Sequence, residues 1–520
     1  MKKNTIIWIL LALVLIVGAS YLLFFRNKSS VPKDLTDTVI ASSAIKDFFK
    51  SHPEFATYAV ELTTFYKERD FALAWFDKDG LTEQSFQMYL AAVNSGKQGI
   101  GQPAPYRDEL ISLFGDEPSK TTIVPIDLML TAQYFHYNAA NFEGEVTERQ
   151  TRALDWLIKR EKIDPIQLLN DIVDNKSDIY NDEAFRKGYA ELKVALAAMR
   201  EKGLEKLGPI QSEQTKYEPG DSSEVIRKVR ERLAVLGDME ANNNSPVLDE
   251  ELVEGIKVFQ KRHGLEPDGI AGPGFFKELN VSGNQRVRQI LANMERYRWM
   301  SDDGNHDYLF VNIPDYKLYA YENDSIVWEM NVVVGQDLNK TVVFSGDIDH
   351  LVFSPYWNIP ASIVQKEILP GIERNPNYLA EKNMEIYGNS GGLPNIRQKP
   401  GAHNSLGKVK FMFPNSHSIY LHDSPAKSLF TNTERAYSHG CVRVANAEYL
   451  ANYLLKDQSK WTPEKVREAM DLGKETVVNL DKPKPVFITY FTAFVDKEGK
   501  LNFRKDIYNR DSKLESILFN

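Results

Sequence analysis

The stretch YLFVNIPDYKLYAYENDSIVWEMNVVVG, Tyr308 to Gly335, decides the fold class of the C-terminal half of the chain. Apolar and polar residues alternate along it, and Val, Tyr and Phe are frequent, which is the pattern of half-buried β-strands. Within it, ENDS (Glu322–Ser325) predicts a hairpin turn. We therefore predict a mostly β domain over residues 305–480. A C-terminal β-hairpin extension, residues 481–520, is expected to pack on this domain or on the helices before it.

The chain before this domain is predicted to be helical, so the fold class is multidomain α+β. Residues 29–208 carry apolar residues at three- and four-residue spacing and form a predicted helical scaffold domain without a chemical constellation. A Gln-, Ser- and Pro-rich linker, residues 209–221, separates it from a compact unit over residues 222–281. Three helices are predicted in that unit, the first of them capped by Ser222 or Ser223.

The N-terminus carries a membrane signal. Residues 6–25, IIWILLALVLIVGASYLLFF, are uncharged and long enough to cross a bilayer as one helix. We therefore predict that residues 1–28 form a membrane anchor, with a cleavable signal peptide as the alternative. The net charge of -9 argues against a nucleic-acid partner, because such a partner requires a basic face.

Cys441, in YSHGCVRVAN (437–446), is the only cysteine in 520 residues. A lone cysteine is more often a small buried hydrophobe than a nucleophile, but its neighbours here have the types that thiol chemistry requires. His422 lies 19 positions earlier, at the end of a predicted strand, and is the candidate base. Gly440 permits a sharp turn in which its N–H and that of Cys441 face a developing oxyanion. Arg443 is placed to lower the pKa of the thiol, to hold a substrate carboxylate, or to form an ion pair within the domain.

Two parts of the sequence resemble known families. His422 and Asp423, followed by SHGCVR (438–443), resemble the signature of the L,D-transpeptidase family, a histidine followed by a Ser/Thr-His-Gly-Cys block. The region around VFQKRHGLEPDGIAG resembles the peptidoglycan-binding domain of cell-wall enzymes. The segments SPYWNIPASIVQKEILP and YFTAFVDKEGKLNFRKDIY are similar to the large, membrane-anchored L,D-transpeptidases, which have a helical scaffold and an inserted peptidoglycan-binding domain.

The resemblance implies a role for each site residue. Cys441 is the nucleophile, and His422 is the general base and acid. The other residues of the active-site loop are Ser438, His439, Gly440, Arg443 and Asn446. Asp423 is the candidate for orienting His422, through an atom that the sequence does not identify.

A lid over the substrate is also implied. Residues 371–401 are rich in Gly, Pro and Asn, and we expect a long irregular loop there. In the family subgroup that this chain resembles, a loop at this position covers the substrate. Its expected substrate contacts are Tyr378, Tyr387 and Arg397.

The function that the resemblance implies is acyl transfer in cell-wall assembly. A thioester on Cys441 carries a donor stem peptide, an acceptor stem peptide resolves it, and a 3-3 peptidoglycan crosslink results. Water as acceptor makes the enzyme an L,D-carboxypeptidase, and a protein amine attaches that protein to the wall. A non-catalytic wall-binding anchor is the alternative from another class. We expect a single-pass protein of the cytoplasmic membrane with its catalytic part outside, and no metal or other cofactor.

Overall fold

The chain divides into two compact units. The first lies within residues 1–142 and 162–181, and the second within residues 143–161 and 182–520. The predicted scaffold, residues 29–208, therefore contributes to both units. The computed structural model describes residues 38–78, 80–95, 104–115, 119, 121–139, 148–158, 164–174, 176, 184–204, 207–240, 243–300 and 306–518.

Helices dominate the first unit, and the second contains both helices and strands. The helices are α1 (Ser42–Ser51), α2 (Ala59–Glu68), α3 (Glu83–Asn94), α4 (Arg107–Gly115), α5 (Ile123–Asn138), α6 (Glu148–Ala153), α7 (Pro165–Val173), α8 (Ala184–Glu201), α9 (Glu224–Leu236), α10 (Glu250–Arg262), α11 (Pro273–Leu279), α12 (Gly283–Arg298), α13 (Ala361–Ile363), α14 (Leu369–Arg374), α15 (Tyr378–Glu381), α16 (Ala447–Leu455), α17 (Pro463–Asp471) and α18 (Arg510–Leu518). The strands are β1 (Phe76–Asp77), β2 (Gly80–Leu81), β3 (Tyr308–Asn312), β4 (Lys317–Glu322), β5 (Ser325–Gly335), β6 (Phe344–Phe353), β7 (Trp357–Asn358), β8 (Met384–Ser390), β9 (Leu393–Gln398), β10 (Val409–Met412), β11 (Leu421–His422), β12 (Ala436–Ser438), β13 (Val442–Val444), β14 (Thr476–Thr489), β15 (Ala493–Val495) and β16 (Leu501–Phe503).

The core of the first unit surrounds α5, which is buried on most of its circumference. Apolar side chains cover nearly all sides of this helix, which is the pattern of a helix in the middle of a bundle. Its one buried carboxylate is Asp127, which is fully inaccessible to solvent. Asp127 accepts hydrogen bonds from the backbone N–H groups of Ala74 and Trp75 at 2.9–3.1 Å and from the Tyr66 hydroxyl at 2.6 Å. Burial raises the pKa of Asp127 to about 6, although these donors oppose the shift.

The compact unit predicted over residues 222–281 is a three-helix module with its own hydrophobic core. Helix α9 begins at Ser223, whose hydroxyl accepts from the Ile226 N–H at 3.2 Å, and it ends at Gly237 with φ 82°. Helix α10 begins at Asp249, whose carboxylate also pairs with the buried Arg230. The module therefore has both a sequence-encoded start for each long helix and a core that joins them.

The mostly β part of the second unit is built on a nine-stranded sheet. Its strand order is β12–β5–β13–β11–β10–β6–β14–β3–β4, and β4 also pairs with β5, so the sheet closes on itself. The predicted hairpin is present between β4 and β5, where Glu322 pairs with Ser325. Asn323 and Asp324 between them have φ 48° and 58°, as a two-residue type I′ turn requires. The predicted α+β fold class is confirmed.

Helices α16 and α17 pack on this sheet, and each begins at a polar capping residue. The Asn446 side chain accepts from the Tyr449 N–H at 3.0 Å, and Thr462 precedes Pro463 at the start of α17. The buried faces of both helices belong to the same hydrophobic core as the strands. Helix α16 thereby fixes the chain directly after the cysteine-containing segment.

Residues 357–398, inserted between β6 and β10, form a small subdomain that we call the insertion. Strands β7, β9 and β8 make a three-stranded sheet, and α13, a π-helical turn at Val364–Ile368 and α14 pack beside it. A separate hydrophobic cluster holds it together. The expectation of an irregular loop over residues 371–401 is therefore wrong. The glycines that suggested it, Gly391 and Gly392 (φ 59° and 82°), form the turn of the β8–β9 hairpin.

The C-terminal residues complete the second unit. The predicted start of the extension at residue 481 falls inside β14, which pairs with both β6 and β3. The predicted hairpin follows as β15 and β16. Arg504 links it to the sheet through Asp315 at 2.5 Å, and Arg262 of the three-helix module donates to the Leu501 carbonyl.

The structure gives no information about the predicted anchor. Residues 6–25 lie outside the described residues. Among the helices of the described ranges, none has the length and apolar character needed to cross a membrane. The anchor stays a prediction from sequence.

Replacing Asp127 with Ala is expected to destabilise the first unit by about 3 kcal/mol or more. The change leaves two buried N–H groups without acceptors, each at a cost of about 1–3 kcal/mol. Native-state hydrogen exchange of amides in this unit measures the loss. Asp164→Ala is the control, because Asp164 is an exposed cap of α7 whose removal costs about 1 kcal/mol. Equal losses in the two variants would contradict the role given to the buried carboxylate.

Candidate active site

The register of three neighbouring strands places a histidine between two cations on one face of the sheet. Strand β11 runs parallel to β13 with His422 opposite Arg443, and antiparallel to β10 with His422 opposite Lys410. The preceding pair on β11 and β13, Leu421 and Val442, is completely buried in the core. Because side chains alternate along a strand, these three polar side chains lie on the face away from that core. The sheet therefore provides a row in the order Lys410, His422, Arg443.

His422 is held by a backbone carbonyl. Its Nδ1 lies 2.5 Å from the Asp423 carbonyl oxygen. A carbonyl oxygen only accepts hydrogen bonds, so Nδ1 carries the hydrogen of the neutral ring and Nε2 carries the lone pair. The Asp423 carboxylate is used elsewhere, by the Lys408 N–H at 2.9 Å and the Lys427 ammonium at 2.6 Å. The atom of Asp423 that orients His422 is thus the carbonyl oxygen.

His422 is a neutral base at physiological pH. Burial, together with the positive charge of Arg443, lowers its pKa to about 4. The carbonyl oxygens of Asp423 and Leu406 oppose the shift. The side chain is only 4% exposed, so the unprotonated ring is the form that the folded protein favours.

The thiol of Cys441 is also neutral. It donates to the Ser418 carbonyl at 3.7 Å, and burial raises its pKa. Hydrogen bonds from the backbone and side chain of Tyr420 and the charge of Arg443 act in the opposite direction. In the folded protein Cys441 and His422 are therefore a neutral thiol and a neutral imidazole.

Tyr420 is a site residue that the sequence analysis missed. Its side chain hydrogen-bonds Cys441, and its ring centroid lies 5.7 Å from that of His422. Burial raises the pKa of Tyr420, so its hydroxyl stays protonated and available as a donor. Tyr420 precedes His422 by two positions, and the alternation of side chains along a strand places both on one face. That spacing was the signal in the sequence.

The loop between β12 and β13 is braced by Ser438. The Ser438 hydroxyl donates to the Cys441 carbonyl at 2.5 Å and accepts from the Gly440 N–H at 3.1 Å. The prediction that the Gly440 N–H faces an oxyanion is therefore wrong, because Ser438 already uses that group. The Cys441 N–H has no acceptor among the described residues and remains a candidate oxyanion donor. Gly440 has φ 117°, a conformation that favours glycine.

A threonine fastens this loop to the end of β5. The Thr341 hydroxyl donates to the Gly440 carbonyl at 2.8 Å and accepts from the Gly335 N–H at 2.9 Å. Tyr508 of the C-terminal segment donates to the Gly335 carbonyl at 2.5 Å. A Cβ on Gly335 would lie 2.1 Å from the Asn339 carbonyl oxygen, so only glycine permits this close packing. The loop between β12 and β13, which contains Cys441 and which we call the cysteine loop, is thus held in place by residues from three distant segments.

The remaining predicted loop residues have separate partners. His439 points to the insertion, where its Nε2 lies 3.0 Å from Glu367 in the π-helical turn. Asn446 caps α16, so its role in the structure is to begin that helix. Arg443 makes no ion pair with a carboxylate of the described residues, and its buried Nε has no hydrogen-bond partner there. Of the alternatives for Arg443, an ion pair within the domain is thereby not supported.

The predicted lid residues lie together in the insertion. Tyr378 packs on Gly371 within the insertion's own cluster. Arg397 pairs with Glu385 at 2.7 Å and lies over the rings of Tyr356 and Tyr387, at 4.2 and 5.2 Å. Tyr387 is half-exposed, and of the three side chains it is the most accessible to solvent. In the described part of the chain, no group of three or more His, Cys, Asp or Glu side chains is arranged to hold a metal ion.

Three regions of the chain match known family models. Residues 306–479 match the YkuD family model, an L,D-transpeptidase catalytic domain. Residues 60–196 match a scaffold domain, and residues 222–279 match a peptidoglycan-binding domain.

Known proteins are similar to parts of this chain. It is 33% identical over 287 residues to a Haemophilus influenzae protein named "Putative L,D-transpeptidase", an alignment that covers 52% of this chain and 57% of that one. The chain therefore spans little more than half the length of this relative. An L,D-transpeptidase structure from Stackebrandtia nassauensis is 14% identical, with 54% of this chain and 97% of that chain covered and a TM-score of 0.23. For one from Xylanimonas cellulosilytica the values are 13%, 54%, 100% and 0.17. These two superpositions support no argument about the site.

Replacing Arg443 with Met is expected to raise the pKa of the Cys441 thiol, because a nearby positive charge that favours the thiolate is lost. Alkylation by iodoacetamide as a function of pH measures this directly, since the chain has one cysteine. The midpoint in the parent should lie above that of an ordinary thiol and move higher in the variant. Arg467→Met, which removes an exposed arginine paired with Glu448, should leave the midpoint unchanged. A parent midpoint below pH 7 would indicate a thiolate–imidazolium pair and contradict the neutral pair.

Proposed function

We propose that this protein is a cysteine L,D-transpeptidase that forms 3-3 crosslinks between peptidoglycan stem peptides. One observation carries the proposal. His422 is fixed in the tautomer whose Nε2 is basic, on the strand next to the one that follows Cys441. A neutral base beside a neutral thiol can take the thiol proton as attack begins.

In the acylation step, the Cys441 sulfur attacks the carbonyl of the third residue of a donor tetrapeptide, a diamino acid. The thiol proton passes to Nε2 of His422. The C–N bond to the terminal D-alanine then breaks, and the protonated imidazole gives its proton to the leaving amine. The low pKa of His422 favours this second transfer, because a strong acid donates readily. The products are a thioester on Cys441 and free D-alanine.

In the deacylation step, the side-chain amine of an acceptor stem attacks the thioester carbonyl. His422 takes a proton from the attacking nitrogen and returns it to the leaving sulfur, so an amide forms and the thiol is restored. The developing oxyanion needs donors that are already in place. The Cys441 N–H and the Tyr420 hydroxyl are the candidates closest to the sulfur.

The other domains fit a substrate that is a polymer. A peptidoglycan-binding module next to the catalytic sheet would hold the enzyme on the wall while stem peptides are exchanged. We propose an extracytoplasmic location for the catalytic part, anchored through residues 6–25, on the basis of the sequence alone. The same sequence supports the expected single membrane span.

Cys441→Ala is expected to abolish D-alanine release and crosslinking when the full chain is incubated with a donor tetrapeptide and an acceptor stem. His422→Ala should lower the rate by about 10²–10⁴, the usual contribution of a positioned base. His306→Ala is the matched control, because this exposed histidine pairs with Asp324 in the β4–β5 hairpin. Liquid chromatography with mass spectrometry quantifies D-alanine and the crosslinked product.

The products separate the candidate functions. D-Alanine release without crosslinks would make the protein an L,D-carboxypeptidase. Full activity in Cys441→Ala would exclude the thioester mechanism. A parent that binds peptidoglycan but releases no D-alanine would support the non-catalytic anchor instead.

A further inference from the structure

Lys410 is a charged side chain beside the proposed catalytic pair that the mechanism above does not use. It lies on β10 and is only partly exposed, while its neighbours Val409 and Phe411 are completely buried. No carboxylate of the described residues forms an ion pair with it. Its ammonium nitrogen lies 6.0 Å from the centroid of the Tyr420 ring. Burial lowers the pKa of Lys410, and the negative charge of Glu475 opposes this shift.

A partly buried and unpaired cation costs free energy in the folded protein, so it calls for a reason. Lys484, in the same sheet, shows what a structural lysine of this kind looks like. It is also partly buried and lies 5.5 Å from the ring of Tyr453. The charges of Asp307 and Glu322, however, favour its protonated form. For Lys410 only Glu475 has this effect. No carboxylate of the described residues forms an ion pair with Lys410, so its charge is available to a ligand.

The position of Lys410 relative to His422 indicates which ligand Lys410 binds. Strand β11 has β13 on one side, following the nucleophile, and β10 on the other. Neighbouring strands are about 4.8 Å apart, so Lys410 lies one strand beyond His422 as seen from Cys441. His422 must reach the leaving nitrogen to protonate it. Groups attached to that nitrogen therefore extend past His422, toward β10.

The leaving D-alanine carries a carboxylate on the carbon next to this nitrogen. That carboxylate is the negative charge that a donor peptide brings nearest to β10. Arg443 is on the opposite side of His422, close to the sulfur, and so suits the acyl part of the donor. The two cations in the row would thus contact different parts of one substrate.

We propose that Lys410 binds the terminal carboxylate of the donor tetrapeptide and so selects donors that end in a free D-alanine. This inference rests on the proposed function and adds the residue that recognises the leaving group. A charge-assisted hydrogen bond of this kind strengthens as the leaving group settles against His422. Lys410 would therefore act in both binding and departure of D-alanine.

The test pairs a change in the protein with a change in the substrate. The full chain is given a donor tetrapeptide with a free terminal carboxylate or the same peptide with a terminal carboxamide. Release of D-alanine or D-alaninamide gives kcat/KM for each. The parent should prefer the carboxylate by roughly 10- to 100-fold, the range for hydrogen bonds to charged groups. Lys410→Met should reduce that preference to within about threefold, and Lys410→Arg should keep most of it.

Lys484→Met is the matched control and should retain the parent preference, since it removes a similar lysine elsewhere in the sheet. The ratio is measured within each variant, so a partly misfolded sample does not alter it. Unchanged preference in Lys410→Met, or equal rates on both donors in the parent, would overturn the role of Lys410. A parent that releases neither leaving group would instead overturn the proposed function, and with it this inference.

Discussion

The site depends on the register of one short parallel pairing, β11 with β13. Leu421 opposite Val442 anchors this register, because both side chains are completely buried in the core of the sheet. A slip of one residue would turn His422 into that core and expose Leu421, at a large cost in buried apolar surface. Hydrophobic packing on one face of the sheet thus sets the polar geometry on the other. Strand β11 has only two residues, but its register is fixed because β10 and β13 pair with it on both sides.

Electrostatics on that polar face favour neutral reactants. Burial alone raises the pKa of a thiol and lowers that of an imidazole, so it opposes an ion pair between Cys441 and His422. Arg443 lowers both pKa values, which makes the thiolate easier to form and the imidazolium a stronger acid. In the proposed mechanism the same residue therefore assists both the attack and the protonation of the leaving group. Arg443 makes no ion pair with a carboxylate of the described residues, and its buried Nε has no hydrogen-bond partner among them, so its charge is available to the site.

The sequence predicted local features well and long-range ones poorly. The cap at Ser223 and the turn at Asn323 could be predicted because a few adjacent residues determine each of them. The hydrogen bonds from Thr341 to Gly440 and from Tyr508 to Gly335 join segments far apart in the chain, and no local pattern encodes them. The use of a carbonyl rather than a carboxylate to orient the histidine depends on the same tertiary context. In the insertion, turn-forming residues were mistaken for a loop because a hairpin and a loop share their composition.

The central claim is that a donor peptide becomes attached to Cys441 with loss of its terminal residue. Incubating the parent with a donor tetrapeptide but no acceptor, quenching in acid and mapping the peptides by mass spectrometry tests it most directly. The account predicts an added mass equal to the donor less alanine, on the peptide that contains residue 441 and on no other. Release of D-alanine with no adduct at any time, or an adduct on another residue, would contradict it.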